Sequence, residues 1–287
     1  VIRREFDLSE GDAFNQVLVR RAKKRLEDLK FFSTVDISTQ PGSQPDRVVL
    51  IVDVKDQATG EFGIGGGYSN TDGFTATIDI TERNFLGRGQ FIRGSVGGGT
   101  DTREYSVSFT EPYFLGYRLA AGFDVFKKTD SSYTGFDESV QGINLRIGAP
   151  ITENLYLSTA FKYSETKFTD VSTTSITSAP ELAVINSGGY NTGALSYTLS
   201  YSTLDDNVLP REGISARFTQ EYAGLGFDSD YLKTTAKASY FHMLSESADV
   251  IGQLSVGGGH MMSTGSSNLR IFEHMFLGEE TIRGFDT

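Results

Sequence analysis

Residues 195–202 read Leu-Ser-Tyr-Thr-Leu-Ser-Tyr-Ser, apolar and polar side chains in strict alternation. A period of two puts successive side chains on opposite faces of a strand, so this stretch has one greasy and one wet face. The pattern recurs. Leu155, Leu157, Thr159, Phe161 and Tyr163 alternate with Tyr156, Ser158, Ala160, Lys162 and Ser164. Ile214, Ala216, Phe218 and Tyr222 oppose Ser215, Arg217, Thr219 and Glu221, and Phe74, Ala76, Ile78 and Ile80 oppose Thr75, Thr77, Asp79 and Thr81. About eleven such segments begin near residues 60, 73, 89, 103, 117, 139, 153, 191, 212, 230 and 249. Strands of ten or more residues exceed the usual five or six. Two-faced strands of roughly 9–11 residues are what a bilayer-spanning barrel demands, lipid on one side and a polar lumen on the other. Hydrocarbon leaves no backbone edge unpaired, so such a sheet closes. The fold expected is therefore mainly β, a transmembrane antiparallel β-barrel. A soluble β-sandwich or propeller with the same alternation is the competing reading.

Composition agrees once the faces are separated. Only alternate residues need be apolar, so a slightly negative mean hydropathy is compatible with lipid. The 21 Phe and 13 Tyr can supply interfacial girdles. No run approaches the roughly 18 apolar residues of a membrane helix. Without cysteine there is no disulfide, thiolate metal site or cysteine nucleophile. A net charge of −11 argues against nucleic acid as a partner. No signal-sequence pattern opens the chain, which leaves a cytosolic protein or a processed or excised piece.

The chemistry changes near residue 57. Residues 1–57 hold ten basic and ten acidic side chains, two of the 32 glycines and no tyrosine, so the whole net charge lies in 58–287. This divides the chain into 1–57 and 58–287. In the first part Phe14, Val17, Leu18, Ala22, Leu26 and Leu29 recur at helical spacing behind Asp12, a candidate N-cap. Two extended runs follow, Val35–Gln40 and Arg47–Val54, separated by Pro41-Gly42-Ser43-Gln44-Pro45. The expectation is a small α+β module, marginal alone at this size. The basic run Arg20, Arg21, Lys23, Lys24 and Arg25 reads as a solvated helix face, with anionic headgroups as the sharper alternative.

Short motifs are sparse. Glu-x-x-Phe-Leu-Gly occurs at Glu82–Gly87, Glu111–Gly116 and Glu273–Gly278, the first two between predicted strands and hence turns. Glycine triplets at 65–67, 97–99 and 257–259 fall within strands, where they permit bends and close approach. They lack the following helix a phosphate loop needs. Asp170–Tyr190 is a Ser/Thr-rich insertion suited to an exposed loop, and Asp205–Gly213 is a Pro/Gly turn without the ligand spacing of a calcium loop. His242, His260 and His274 stand on separate segments, so no metal site, cofactor or catalytic residue is expected.

The order of elements is itself informative. The stretch from Lys24-Arg25-Leu26 through Leu29-Lys30-Phe31-Phe32-Ser33-Thr34-Val35 to Gly60-Glu61-Phe62, then Glu111-Pro112-Tyr113-Phe114, then Ile282-Arg283-Gly284-Phe285, resembles the BamA family of outer-membrane assembly factors across essentially all 287 residues. That resemblance implies a partial periplasmic POTRA module over 1–57, entered after its first strand. It implies that 58–287 are about eleven strands of a sixteen-stranded barrel, ending in the long loop that carries the Ile-Arg-Gly-Phe motif. It implies an outer-membrane insertase subunit whose partners are unfolded barrel proteins, accessory assembly lipoproteins and the lipid bilayer. It also implies a lateral seam at the first strand, about Gly60–Asn70, carried by Gly60, Phe62, Gly63, Ile64, Gly65, Gly66, Gly67 and Tyr68. The edge strand of the module, Val35, Asp36, Ile37, Ser38, Thr39 and Gln40, would guide client segments. Ile282, Arg283, Gly284 and Phe285 would fold back into the barrel, Arg283 holding the loop by a charge-assisted hydrogen bond. No bond is made or broken, so no enzymatic activity is expected. The alternatives are a related POTRA-barrel transporter, either TamA-like or a two-partner secretion pore, then a passive porin, then a soluble β-rich binding protein.

Overall fold

The computed structural model describes residues 1–69, 73–133, 135–176, 178–206, 209–265 and 269–275. A single 3-10 turn, Ile2–Glu5, precedes helix α1, Gln16–Asp28. The helix starts at Asn15, whose Oδ1 accepts the backbone N–H of Val17 at 2.9 Å and of Leu18 at 3.4 Å. Asp12, the expected cap, instead accepts the N–H of Ser9 three residues earlier and closes a separate turn. The buried stripe is Val19, Ala22 and Leu26, and Phe14 and Val17 are about half exposed. With the helix beginning at Asn15, Phe14 lies outside it, and the packed face is set by Val19 rather than Val17. That face meets strand β1, Phe32–Pro41, which pairs antiparallel with β2, Val48–Asp56. Phe31 and Val35 complete this small core.

Eleven strands follow: β3 Gly60–Ser69, β4 Gly73–Phe85, β5 Gln90–Gly99, β6 Thr102–Glu111, β7 Ala120–Asp130 and β8 Asp137–Pro150. They continue as β9 Leu155–Thr169, β10 Gly189–Ser202, β11 Gly213–Ala223, β12 Tyr231–Ser245 and β13 Val250–Ser263. All lie in one antiparallel sheet in chain order, with β3 and β13 at its edges. Every starting point lies within a few residues of the one the alternation predicts.

The register sorts the side chains as the alternation requires. Phe62, Ile64 and Tyr68 stand opposite Ile80, Ile78 and Phe74. Phe62, Ile64 and Tyr68 are 65%, 74% and 75% exposed. A soluble protein does not leave such a face bare over eleven strands. Moving each large side chain from water into hydrocarbon contributes roughly 1.5–3 kcal/mol, which is why the sheet belongs in a bilayer. The opposite face is polar and is riveted by cross-strand ion pairs, Arg93–Asp79 at 2.6 Å and Arg146–Asp124 at 2.7 Å.

At about 3.3 Å per residue, strands as long as β9 and β12, fifteen residues each, outrun the hydrocarbon core. The far end of β9, with the start of β10, carries a second core. Phe136, Phe168, Ile176 and Ile185 are buried together, joined by Leu182, Val184, Tyr190 and Phe272. The Ser/Thr-rich insertion is therefore not a plain exposed loop. It contains helix α2, Ala179–Asn186, and its few apolar residues are drawn under the aromatic pair Phe136 and Phe168. Among the described residues no helix is long and apolar enough to cross a membrane, a statement that does not bear on strands.

Candidate functional site

Three places bear on function: the first strand of the sheet, the joint between module and sheet, and the segment that follows β13. The edge strand comes first. On the polar face of β3 stand Gly63, Gly65 and Gly67, opposite Asp79, Thr77 and Thr75. Sterics demand glycine at only one of them. A β-carbon at Gly65 would lie 2.7 Å from Thr77 Oγ1, whereas at Gly63 and Gly67 it would meet β4 at 3.6 Å and 3.7 Å, ordinary contact distances. The missing side chains therefore withhold packing and register information that this strand has room to carry.

The two ends of β3 are held unequally. At the module end Arg83 grips Glu61 with Nε and Nη2 at 2.9 Å and 3.1 Å, and Thr59 donates to Glu82 at 2.5 Å. Toward the far end, among the described residues, the side-chain support is a long contact from Thr75 Oγ1 to the carbonyl of Gly67, 3.4 Å. Among the described residues the side-chain contacts of the strand concentrate at its base. The expected seam residues Gly60–Tyr68 lie wholly on β3, while Asn70 lies outside the described residues.

The joint is built from residues the sequence reading passed over. Arg4 Nη1 donates to the carbonyl of Arg88 in the β4–β5 turn at 3.1 Å, and its guanidinium lies 4.1 Å from the ring centre of Tyr113 in the β6–β7 turn. Tyr113 donates its hydroxyl to Glu5 Oε1 at 3.0 Å, and Glu5 is 4% exposed. Burial, with Glu5 beside it, pushes the Tyr113 hydroxyl above its ordinary pKa. Asp7 bridges Arg25 of α1 at 2.7 Å and Arg118 of the β6–β7 turn at 3.5 Å, and Arg21 reaches Glu153 at 2.9 Å. The basic helix face is thus engaged rather than simply solvated: Arg21 and Arg25 point to acids, and Lys23 lies near Asp36. Gly89 is obligatory here, with φ of +73° and the Arg4 guanidinium occupying the space a β-carbon would need. The family-like string around Tyr113 was the one available signal. Nothing in the spacing marked Arg4 or Glu5.

The repeated hexapeptide forms one turn twice. Glu82 accepts the N–H of Asn84 at 2.7 Å, and Glu111 accepts that of Tyr113 at 2.9 Å. Leu86 and Leu115 both adopt φ of 55°, each followed by a glycine of positive φ. The third copy lies partly outside the described residues.

The arm of the long loop runs along the far rim. Arg270 stacks over Tyr190 at 5.0 Å and binds Glu273 at 3.1 Å, while Phe272 sits 5.1 Å from Phe168 and 5.9 Å from Phe136. Ile282, Arg283, Gly284 and Phe285 lie outside the described residues. The module strand Val35–Gln40 lies within β1, one outer edge of the two-stranded sheet. Among the described residues no cluster of His, Asp or Glu is arranged to hold a metal.

The Omp85 superfamily domain model matches residues 84–287, which is most of the chain. The chain belongs to the Omp85 superfamily. The POTRA model, described as a surface antigen variable number repeat, matches residues 1–57. The outer membrane protein assembly factor BamA of Neorickettsia risticii is 28% identical over 288 residues, covering 100% of this chain and 38% of that protein. The BamA of Nitratidesulfovibrio vulgaris is 25% identical over 290 residues, covering 100% and 36%. The chain thus spans well under half the length of these relatives. Among solved structures, BamA from Haemophilus ducreyi lacking POTRA domains 1–3 superposes with a TM-score of 0.72 at 23% identity, covering 96% of this chain and 55% of that one. CdiB from Escherichia coli gives 0.67 at 15%, covering 99% and 55%. An Omp85 barrel with a POTRA module of this kind sits in the outer membrane with the module in the periplasm. The turns that touch the module are therefore periplasmic, and the α2 cluster faces outward.

Proposed function

We propose that this chain is the seam-bearing part of an insertase that folds barrel proteins into the outer membrane. The single observation that carries the reading is the state of β3: the first strand of the sheet, pinned at its periplasmic base by Arg83–Glu61 and carrying Gly63, Gly65 and Gly67 in succession on its polar face. Such a strand separates from a neighbour at low cost, and the backbone so released accepts an incoming strand. Main-chain hydrogen bonds then supply affinity, and the lipid-facing Phe62, Ile64 and Tyr68 supply register. The edge strand β1 offers unfolded segments the same mode of pairing on the periplasmic side. The arm of the long loop leads toward Arg283, whose role is to hold the loop within the barrel. Accessory lipoproteins and the bilayer complete the set of partners. The work is non-covalent throughout, with no catalytic residue and no cofactor.

Relatives named as assembly factors support this reading across the full chain. A second reading, a dedicated transporter on the same module-and-barrel plan, is compatible with the fold that the CdiB structures share. Depletion of the full-length protein, followed by quantification of all outer-membrane barrels, separates the two. A general insertase gives a broad fall across barrel proteins. Loss confined to one exported client, with other barrels at normal levels, rejects the insertase reading.

A further inference from the structure

On the apolar, lipid-facing side of the sheet, β6 and β7 end in two cations. Val107 and Phe109 pair with Val125 and Phe123, and the next residue of that face on each strand is Tyr105 opposite Lys127. One row further Arg103 stands opposite Thr129. Arg103 and Lys127 are therefore diagonal neighbours on one face, roughly 7–8 Å apart and within reach of a single anion. Both are exposed. The cations around them are matched, Lys128 with Asp130 at 3.4 Å and Lys167 with Glu165 at 2.8 Å, whereas Arg103 and Lys127 have no acid within ion-pair distance among the described residues. Glu165 faces the same side two strands from Lys127 and is held by Lys167 and by Gln141 at 2.8 Å. Two adjacent unmatched cations at the border of an apolar band form a receptor for an anion.

Beside the cations the surface is hollowed. Gly98 lies in one row between Ala76 and Arg103. These two small residues floor a groove of about 640 Å³ between Phe74, Ile78 and Tyr105, with Arg103 in its lining. Sterics do not force glycine at 98, where a β-carbon would meet only the carbonyl of Thr102 at 3.9 Å. On the other side of Tyr105 a second groove, about 450 Å³, runs along Val107, Val125 and Ile143 with Lys127 in its lining. Both lie at the end of the strands opposite the turns that touch the module, hence in the outer leaflet. The face is bathed in lipid, so the anion that reaches it is a headgroup. We propose that Arg103 and Lys127 bind the phosphate of one outer-leaflet lipid, whose acyl chains lie in the grooves on either side of Tyr105. The guanidinium fork suits phosphate geometry, the ammonium adds a point charge, and Tyr105 stands at the depth where interfacial aromatics are stable. The site rests on the outer-membrane placement of the barrel and is independent of the insertase reading.

The test uses the full-length protein in nanodiscs of phosphatidylcholine that carry a minor fraction of either diphosphoryl lipid A or phosphatidylglycerol. Heat-modifiable gel migration first selects folded barrels, and native mass spectrometry then counts the lipids each barrel retains. The unaltered protein should retain at least one of the two anionic lipids well above its share of the disc. Arg103→Gln/Lys127→Gln should lower that retention roughly tenfold or more, as for loss of hydrogen bonds to a charged group. Either single change replaces the pair if the double variant does not fold. Gly98→Leu fills a groove without touching charge and should lower retention severalfold, with Ala76→Leu as the substitute if it does not fold. Lys128→Gln, one position along but on the lumen face, should leave retention unchanged. The site is overturned if neither anionic lipid is enriched, if the glutamine variants retain as much as the unaltered protein, or if Lys128→Gln loses as much as they do. Unchanged retention in the groove variants would also overturn it, leaving only a surface attraction for phosphate. So would equal retention of an enriched lipid and its dephosphorylated form, which assigns the grooves to acyl chains alone.

Discussion

Tyr113 joins the module to the sheet through two interactions at once, a hydroxyl donated to a buried carboxylate and a ring face under a guanidinium, while its backbone N–H is given to Glu111 within its own turn. Tyr113→Phe keeps the ring and removes only the hydroxyl, leaving Glu5 short of a partner. The expected cost to docking is about 1–3 kcal/mol, read as faster hydrogen exchange in residues 2–5. The pH dependence has a definite sign. Because the folded hydroxyl titrates above its ordinary value, the joint keeps its full strength below about pH 10, the unfolded tyrosine value. It weakens as pH rises through the raised folded value. Tyr113→Phe should abolish that alkaline weakening, and an identical profile in both proteins would remove Tyr113 from the joint. None of this was legible in one dimension. Arg4 and Tyr113 lie more than a hundred positions apart, and no periodicity links them. The acidic turn was easier to read. Asp205 accepts the backbone N–H groups of Arg211 and Glu212 at 2.9 Å and 3.1 Å, which holds its carboxyl below the usual carboxylate range. It is a turn closed on itself.

At the scale of the element, strands were legible because lipid and lumen impose a two-residue period that nothing else in the chain mimics. The helix was legible as an element but its start was not, since Asp12 and Asn15 are both good caps and the packed face decided between them. The insertion before β10 defeated composition. Its Ser and Thr residues suggest a loop, yet Ile176 and Ile185 are 6% and 2% exposed because the extended ends of β8 and β9 offer them an aromatic floor. β3 provides the prediction at this scale. Gly63→Val with Gly67→Val adds β-branched side chains where ordinary contact distances leave room. The strand should pair more firmly and hold its register. Client insertion into proteoliposomes should slow severalfold while the barrel itself grows more heat-resistant. Faster insertion, or unchanged insertion with greater stability, would disconnect the glycines from seam opening.

For the whole molecule, the two faces of the sheet divide the labour. The outer face supplies partition energy, and the inner face supplies cross-strand ion pairs on its β3–β8 side. The loop that returns over the inner face is held twice within the described residues, by Phe272 among Phe136 and Phe168 and by Met275 on Gly259. Arg283 follows further on in the sequence. Arg283→Ala in the full-length protein should slow barrel assembly in cells and increase protease access to the loop. Normal assembly with normal protection would count against the role given to the Ile-Arg-Gly-Phe motif.

The sequence by itself determined the strand count of the large sheet, where each of its strands starts to within a few residues, and the two-faced character of those strands. Those follow from a local rule, a period set by backbone geometry. Only the tertiary structure decided which glycine is sterically required, how the module is clamped to the β4–β5 and β6–β7 turns, and that Arg103 lies diagonal to Lys127. Register and docking depend on partners distant in the chain. Their energies come from pairs of groups, and no property of either residue alone announces the other.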